Sequence, residues 1–383
     1  MASKPHVRVE DFLLGFHTTR MMNLHQIQAR IEQHQRAARM AKRPCYVPGC
    51  GVPAIWSHLL QNNGMISELA DATGRVVDIT QEQLFRARRP GDNLTQYYFA
   101  RTHKNQVLTF LAFCNAHDTQ LFSSIETPGA SIVTGSAPLL LSYRAFLYEL
   151  QKQENNYVIW SRVDGDQELV AAMEVHEPAR LRQMRYLLST SCYTAALARR
   201  TKQHLEAALG LGPGPTPGAR PPVFESLCFD MERVPICTSA SFGYVEIPQD
   251  VLRRIDRGED PRFDGATFFV TIAPTPAAHT TVVLGSLSTE AVTYGPLVNE
   301  YQKRALVSDL ILRQFETWVI SCDWYDHYIK PHERRVLSER LRMIRGRDKL
   351  LTATSFNIFK LNSLAGVNFP RSLLDGRARF EHW

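Results

Sequence analysis

The sequence predicts an α+β protein with a metal-stapled module towards its N-terminal end. Three observations point there. Two short-spaced pairs, Cys45/Cys50 and Cys114/His117, carry the residue types of a metal site. Much of the chain before residue 210 follows helical periodicity. Beyond residue 222 it breaks into short β-branched and aromatic runs bounded by Pro, Gly or Asp. At 383 residues the chain is longer than one core usually serves, roughly 250–300 residues, so two or three packed units are expected.

The elements follow in order. Residues 9–42 read as one helix, with Phe12, Leu13, Phe16, Met21, Leu24, Ile27 and Ile31 near helical spacing. Its end is basic, which suits the helix dipole, and Pro44 closes it. Cys45 and Cys50 flank a tight turn with Pro48 and Gly49 at its centre. Ala54, Ile55 and Trp56 read as a strand ending at Ser57-His58. Residues 59–70 are partly helical, with a turn signal at Asn62-Asn63-Gly64, and 75–79 reads as a strand. A basic loop spans 86–93, and an apolar run over 107–113 leads into Cys114 and a helix. Residues 138–154 and 178–209 are amphipathic helices. Gly and Pro crowd 210–222, which therefore reads as a linker. Strands are expected at 223–229, 234–239, 242–247, 267–272 and 280–284, then helices at 297–321 and 331–345. The implied division is a basic N-terminal helix (1–44), a metal module (45–127), a helical segment (128–209), the linker (210–222) and an α+β C-terminal domain with basic helices (223–383).

Apolar residues make up 44% of the chain, which excludes a disordered or fibrous protein. The first residues are polar and hold no apolar leader core, and no run reaches the roughly 18 apolar residues that span a bilayer. A cytoplasmic protein with no membrane partner is the expectation. Seven cysteines are few and odd in number, which argues against a disulfide framework. Cys192, Cys228, Cys237 and Cys322 lie in apolar surroundings and read as buried, inert thiols. The net charge is +6, and both ends are basic: 8 Lys/Arg against 3 Asp/Glu over 1–44, and 12 against 5 over 330–383. Such ends are either solvated helix faces or a phosphate-binding surface.

Thiolate and imidazole are preferred zinc ligands, and four of them in a tetrahedron make a closed structural site. The Cys-x4-Cys and Cys-x2-His spacings each let two side chains converge on one point. Cys45, Cys50, Cys114 and His117 are therefore expected to bind one structural zinc ion, on which folding of the module depends.

A cysteine pair, a strand ending in His58, and a second ligand pair opening a helix resemble the zinc-stapled, treble-clef branch of the HNH, or ββα-metal, nucleases. The same residues, with Phe122 and Ile125-Glu126, resemble a group of uncharacterised prokaryotic proteins of this type. The resemblance covers about 45–126. It implies zinc at Cys45, Cys50, Cys114 and His117, a water-activating base at His58, and a ligand of catalytic magnesium or manganese at Asp118, supplemented by Asp78 or Glu126. Three positions depart from the pattern: Ser57 replaces an acidic residue, His117 a cysteine, and Asp118 a histidine. The family asparagine would fall near Thr109, with Asn105 and Asn115 the nearest candidates.

The residues themselves leave alternatives open. His58 reads as a base, as an alternative zinc ligand, or as a histidine bonded to backbone. Asp118 reads as a helix cap as readily as a metal ligand. The Asp323–His327 stretch reads as a helix-end cluster or as a second metal site. The expected function is phosphodiester hydrolysis in DNA or RNA with a divalent cation. Its alternative is a non-catalytic zinc module that binds nucleic acid or docks a protein partner within a larger assembly.

Overall fold

The computed structural model describes residues 22–81, 97–127, 129–212, 222–243, 267–276, 278–288, 299–328, 356–357 and 362–363. The loop expected at 86–93, the helix expected at 331–345 and residues 213–221 of the expected linker lie outside them.

Helix α1 (Leu24–Arg39) starts where Asn23 accepts a hydrogen bond from the Gln26 backbone while the Gln26 side chain bonds back to Asn23. This capping box, on an extended Asn23, begins α1 at residue 24; residues 9–21 of the expected helix lie outside the described residues. Strand β1 (Ile55–His58) pairs antiparallel with β4 (Thr109–Phe113), setting Ile55 opposite Phe113 and His58 opposite Thr109. The expected break at Asn62–Gly64 is one π-type turn over Asn62–Ile66, followed by a short 3₁₀ turn. Helix α2 (Asn115–Glu126) follows β4 directly.

Helix α3 (Ala137–Asp164) runs ten residues beyond its expected end, to the turn at Gly165. Asp166 then caps α4 (Gln167–His176), which the periodicity did not reveal, and α5 (Pro178–Ala208) follows. Strands β2 (Arg75–Gln81), β3 (Tyr97–His103), β5 (Val223–Glu232), β6 (Ile236–Gly243), β7 (Thr267–Pro274), β8 (His279–Ser288) and β9 (Thr317–Ile320) form one sheet in the order β3-β2-β9-β6-β7-β8-β5. Every neighbouring pair in it is antiparallel.

The single helix expected over 297–321 divides into α6 (Glu300–Gln314) and strand β9. Thr317, Trp318, Val319 and Ile320 are β-formers, and both edges of β9 are taken, by β2 and β6. Within the described residues, the two strands expected over 234–247 are one, β6. A short helix, α7 (Cys322–Tyr328), carries the acidic and aromatic stretch at Asp323–His327.

The middle strands of the sheet are buried on both faces, and alternation along them sorts the side chains. Val76, Cys237, Phe269, Val283 and Val319 face a core shared with α3 and the Cys/His module. Val77, Ile236, Val270, Val282 and Trp318 face a second core under Leu306, Val307 and Ile311 of α6. A third cluster joins α1, the end of α3, α4 and the start of α5. The mixed helix-and-sheet class is as expected. The packing does not divide at 127 or at 210–222, because β2 and β3 extend the sheet built by residues beyond 222. Among the described residues no helix is long and apolar enough to cross a membrane.

Candidate metal centre

Two backbone devices deliver the four ligands. Val47, Pro48, Gly49 and Cys50 form a turn closed by the Cys50 N–H on the Val47 carbonyl, with Gly49 at φ +76°. That positive φ at the third position needs glycine and brings Cys50 back towards Cys45. The Cys45 N–H bonds to the Val52 carbonyl and the Tyr46 N–H to the Ala112 carbonyl, which ties the turn to β4. The second pair lies at the start of α2, where Cys114 is the N-cap and His117 stands in the first turn. Tyr46 and Arg43 both reach Glu154 of α3, at 2.7 and 3.0 Å, and clamp the turn from behind.

One donor atom from each of Cys45, Cys50, Cys114 and His117 lies within 4.8 Å of all the others. The Cys50 and Cys114 sulfurs are 3.9 Å apart, and His117 Nδ1 lies 3.4 Å from Cys45 Sγ and 3.3 Å from Cys114 Sγ. Metal bonds of about 2.3 Å to sulfur and 2.0–2.1 Å to nitrogen at tetrahedral angles require edges of about 3.8 and 3.5 Å. The donor set therefore fits a metal ion such as zinc, with Nδ1 as the histidine donor. Cys45 is 5% and Cys114 is 4% exposed. Burial pushes the Cys45 thiol up to about 11, whereas the His117 backbone N–H holds the Cys114 thiol below its ordinary value. A cation offsets the cost of keeping such buried thiolates together.

His58 is not one of the four. It ends β1, and its Nε2 is buried without a hydrogen-bond partner. Burial lowers its pKa, opposed by backbone groups of Lys104 and Asn105, so the imidazole is neutral at neutral pH. Its neighbour Ser57 is buried, with an unpartnered Oγ.

Asp118 does not cap the helix. Its Oδ1 receives Arg144 Nη2 at 3.1 Å, and Arg144 Nη1 reaches Glu126 Oε1 at 2.6 Å. Arg144 is 1% exposed, and its guanidinium lies 3.8 Å from the centre of the Phe122 ring. Both acidic residues of α2 considered for a catalytic cation are thus engaged by one buried cation. Asp78 sits in β2 opposite Ala100 and Val319, within the large sheet. Asn105 accepts a bond from Asn62, and Asn115 is exposed at the start of α2. Among the described residues, no second group of three or more Asp, Glu, His or Cys side chains converges as the Cys45 cluster does.

Arg144 is the functional residue that sequence reading missed. Its signal is a charged residue in the apolar stripe of α3, spaced as Leu140, Arg144 and Leu147. Of the cysteines expected to be buried, Cys237 and Cys322 are so, while Cys228 is half-buried and Cys192 is exposed. A separate cavity of about 300 Å³ lies between α3, α5 and β6, where Lys152 bridges Glu149 and Glu316. Comparison with known protein families, curated proteins and solved structures finds no match for this chain.

Proposed function

We propose that residues 45–126 are a zinc-stapled, treble-clef module of the HNH-like kind, and that it binds nucleic acid without cleaving it. The layout supports the first part. A ligand-bearing turn, the β1/β4 pair and a helix opening on two further ligands come in the order that the resemblance implies. Four buried or half-buried protein ligands leave zinc no open position, which is the character of a structural site.

The observation that carries the second part is the double ion pair of Arg144. Cleavage of a phosphodiester by this family's chemistry needs a divalent cation on the scissile phosphate. A buried guanidinium occupies one oxygen each of Asp118 and Glu126 and repels such an ion. The net positive charge of the chain favours a polyanionic partner.

Elemental analysis of chelator-free protein is expected to find about one zinc per chain. Cys114→Ser is expected to abolish it and leave the protein insoluble or unfolded. Incubation of the purified chain with plasmid, single-stranded DNA and RNA is expected to give no cleavage in magnesium or manganese. Binding should weaken steeply as salt rises, because counterions are released. A second reading, HNH-type hydrolysis, is favoured by the neutral, unpartnered His58 Nε2, which suits a general base. Metal-dependent cleavage that His58→Ala removes while zinc is retained would establish that reading instead.

A further inference from the structure

The β1/β4 pair carries an irregularity. Ile55 pairs with Phe113 and Trp56 with Leu111, so the register skips Ala112, whose carbonyl accepts from Tyr46 instead. The skip breaks the in-and-out alternation of the strand. Ile55 and Trp56, adjacent in sequence, are both exposed, at 40% and 59%, while the next residue, Ser57, is buried. Val52 and Met40 are exposed as well. An indole left this open on a short strand is unusual, since aromatic area normally goes into a core or an interface.

Backbone bonding joins this strand to the basic segment that follows α1. Pro44 pairs with Pro53, and the Ala54 N–H donates to the Arg43 carbonyl. Lys42 directly precedes the Arg43 so bonded, and Met40 and Ala41 close the last turn of α1. Lys42 is exposed, as is Arg36 in the last turn of α1, a turn with no acidic residue in its sequence. The ladder also contains Cys45, so the metal centre holds this surface rigid.

We propose that Trp56, with Ile55 and Val52 beside it, is a stacking platform for the bases of single-stranded nucleic acid, whose phosphates run along Arg36 and Lys42. The proposal rests on the nucleic-acid reading above and names its contact surface. An exposed aromatic on a strand bonded to a basic segment matches a single strand, which offers flat bases and a charged backbone together. A duplex hides its base faces, so it fits this surface less well.

The test uses the zinc-loaded full chain and the fluorescence anisotropy of labelled oligo-dT and oligo-rU across a salt series. Trp56→Ala is expected to weaken binding by about tenfold, the loss of roughly one stacked base, and Trp56→Phe to restore most of it. The salt slope should stay unchanged in Trp56→Ala and fall in Lys42→Glu. Zinc content and melting temperature should match wild type in all three. If wild type binds and Trp56→Ala binds equally well, the platform is overturned while the nucleic-acid reading stands. If wild type binds neither oligomer, the platform falls, and the nucleic-acid reading falls with it only when duplex plasmid is left unbound as well. A dimer by sedimentation that Trp56→Ala dissociates would then make the patch a contact between two copies of the chain.

Discussion

Asp78 is a carboxylate placed inside a sheet. It sits between Val77 and Ile79, whose side chains go into the core under α6. Its own side chain points to the other face, where Oδ1 is buried with no partner. Burial pushes its pKa up to about 6 from an ordinary 3.8. The folded protein therefore binds this proton more tightly than the unfolded chain does. The stabilisation is fully present below about pH 4 and is lost as pH rises through about 6. Asp78→Asn keeps the shape and removes the charge. It is expected to stabilise the protein by on the order of 2–3 kcal/mol above pH 7 and to change little near pH 4. Melting temperatures of the two proteins across that range decide it, and equal values at pH 8 would refute it. Arg144 shows the opposite arrangement: it is buried too, but two carboxylates balance it.

At the scale of elements, the close contact between α3 and the sheet has one tight point. A Cβ added at Gly285 of β8 would lie 2.6 Å from Ser142 Oγ and 3.1 Å from the Phe224 ring. Gly285→Ala is expected to cost about 1–3 kcal/mol by overpacking, read as a lower urea midpoint. Adding Ser142→Ala removes the nearest atom and should recover part of the loss. An unchanged midpoint in the single variant would mean that α3 does not lie this close. The same layer explains why β9 is a strand although its sequence continues a helical pattern. Its four residues follow a helix without Gly or Pro between, so periodicity alone extends the helix through them. Only the open edges of β2 and β6 make a strand there the better state, since both rows of backbone groups are then paired.

For the whole molecule the consequence concerns how its parts hold together. Gly and Pro over 210–222 still mark the expected site of limited proteolysis. The seven-stranded sheet, however, places β2 and β3 on one side of that cut and the other five strands beyond it. The two fragments are therefore expected to co-elute under native conditions and to separate only in denaturant. Fragments that part on a sizing column without denaturant would contradict the sheet order. The expected unit boundaries followed chain composition, which reports where backbone is irregular and not which strands pair across the irregularity.

The Cys/His cluster and most of the helices are legible in the sequence alone. Its four residues stand out because zinc-type donors are rare and their spacing within each pair is set by a local turn. Helices α3 and α5 are legible because their apolar stripes repeat locally. The strands beyond 222 were visible as segments, but not their partners. Tertiary structure alone decided that β3 exists, that β9 is a strand, and that Asp118 belongs to Arg144. Each of these rests on a partner far along the chain: Arg101 opposite Val77, Val319 opposite Asp78, and Arg144 on a different helix from Asp118. Pairing energies of that kind leave no periodic trace in the segment they act on.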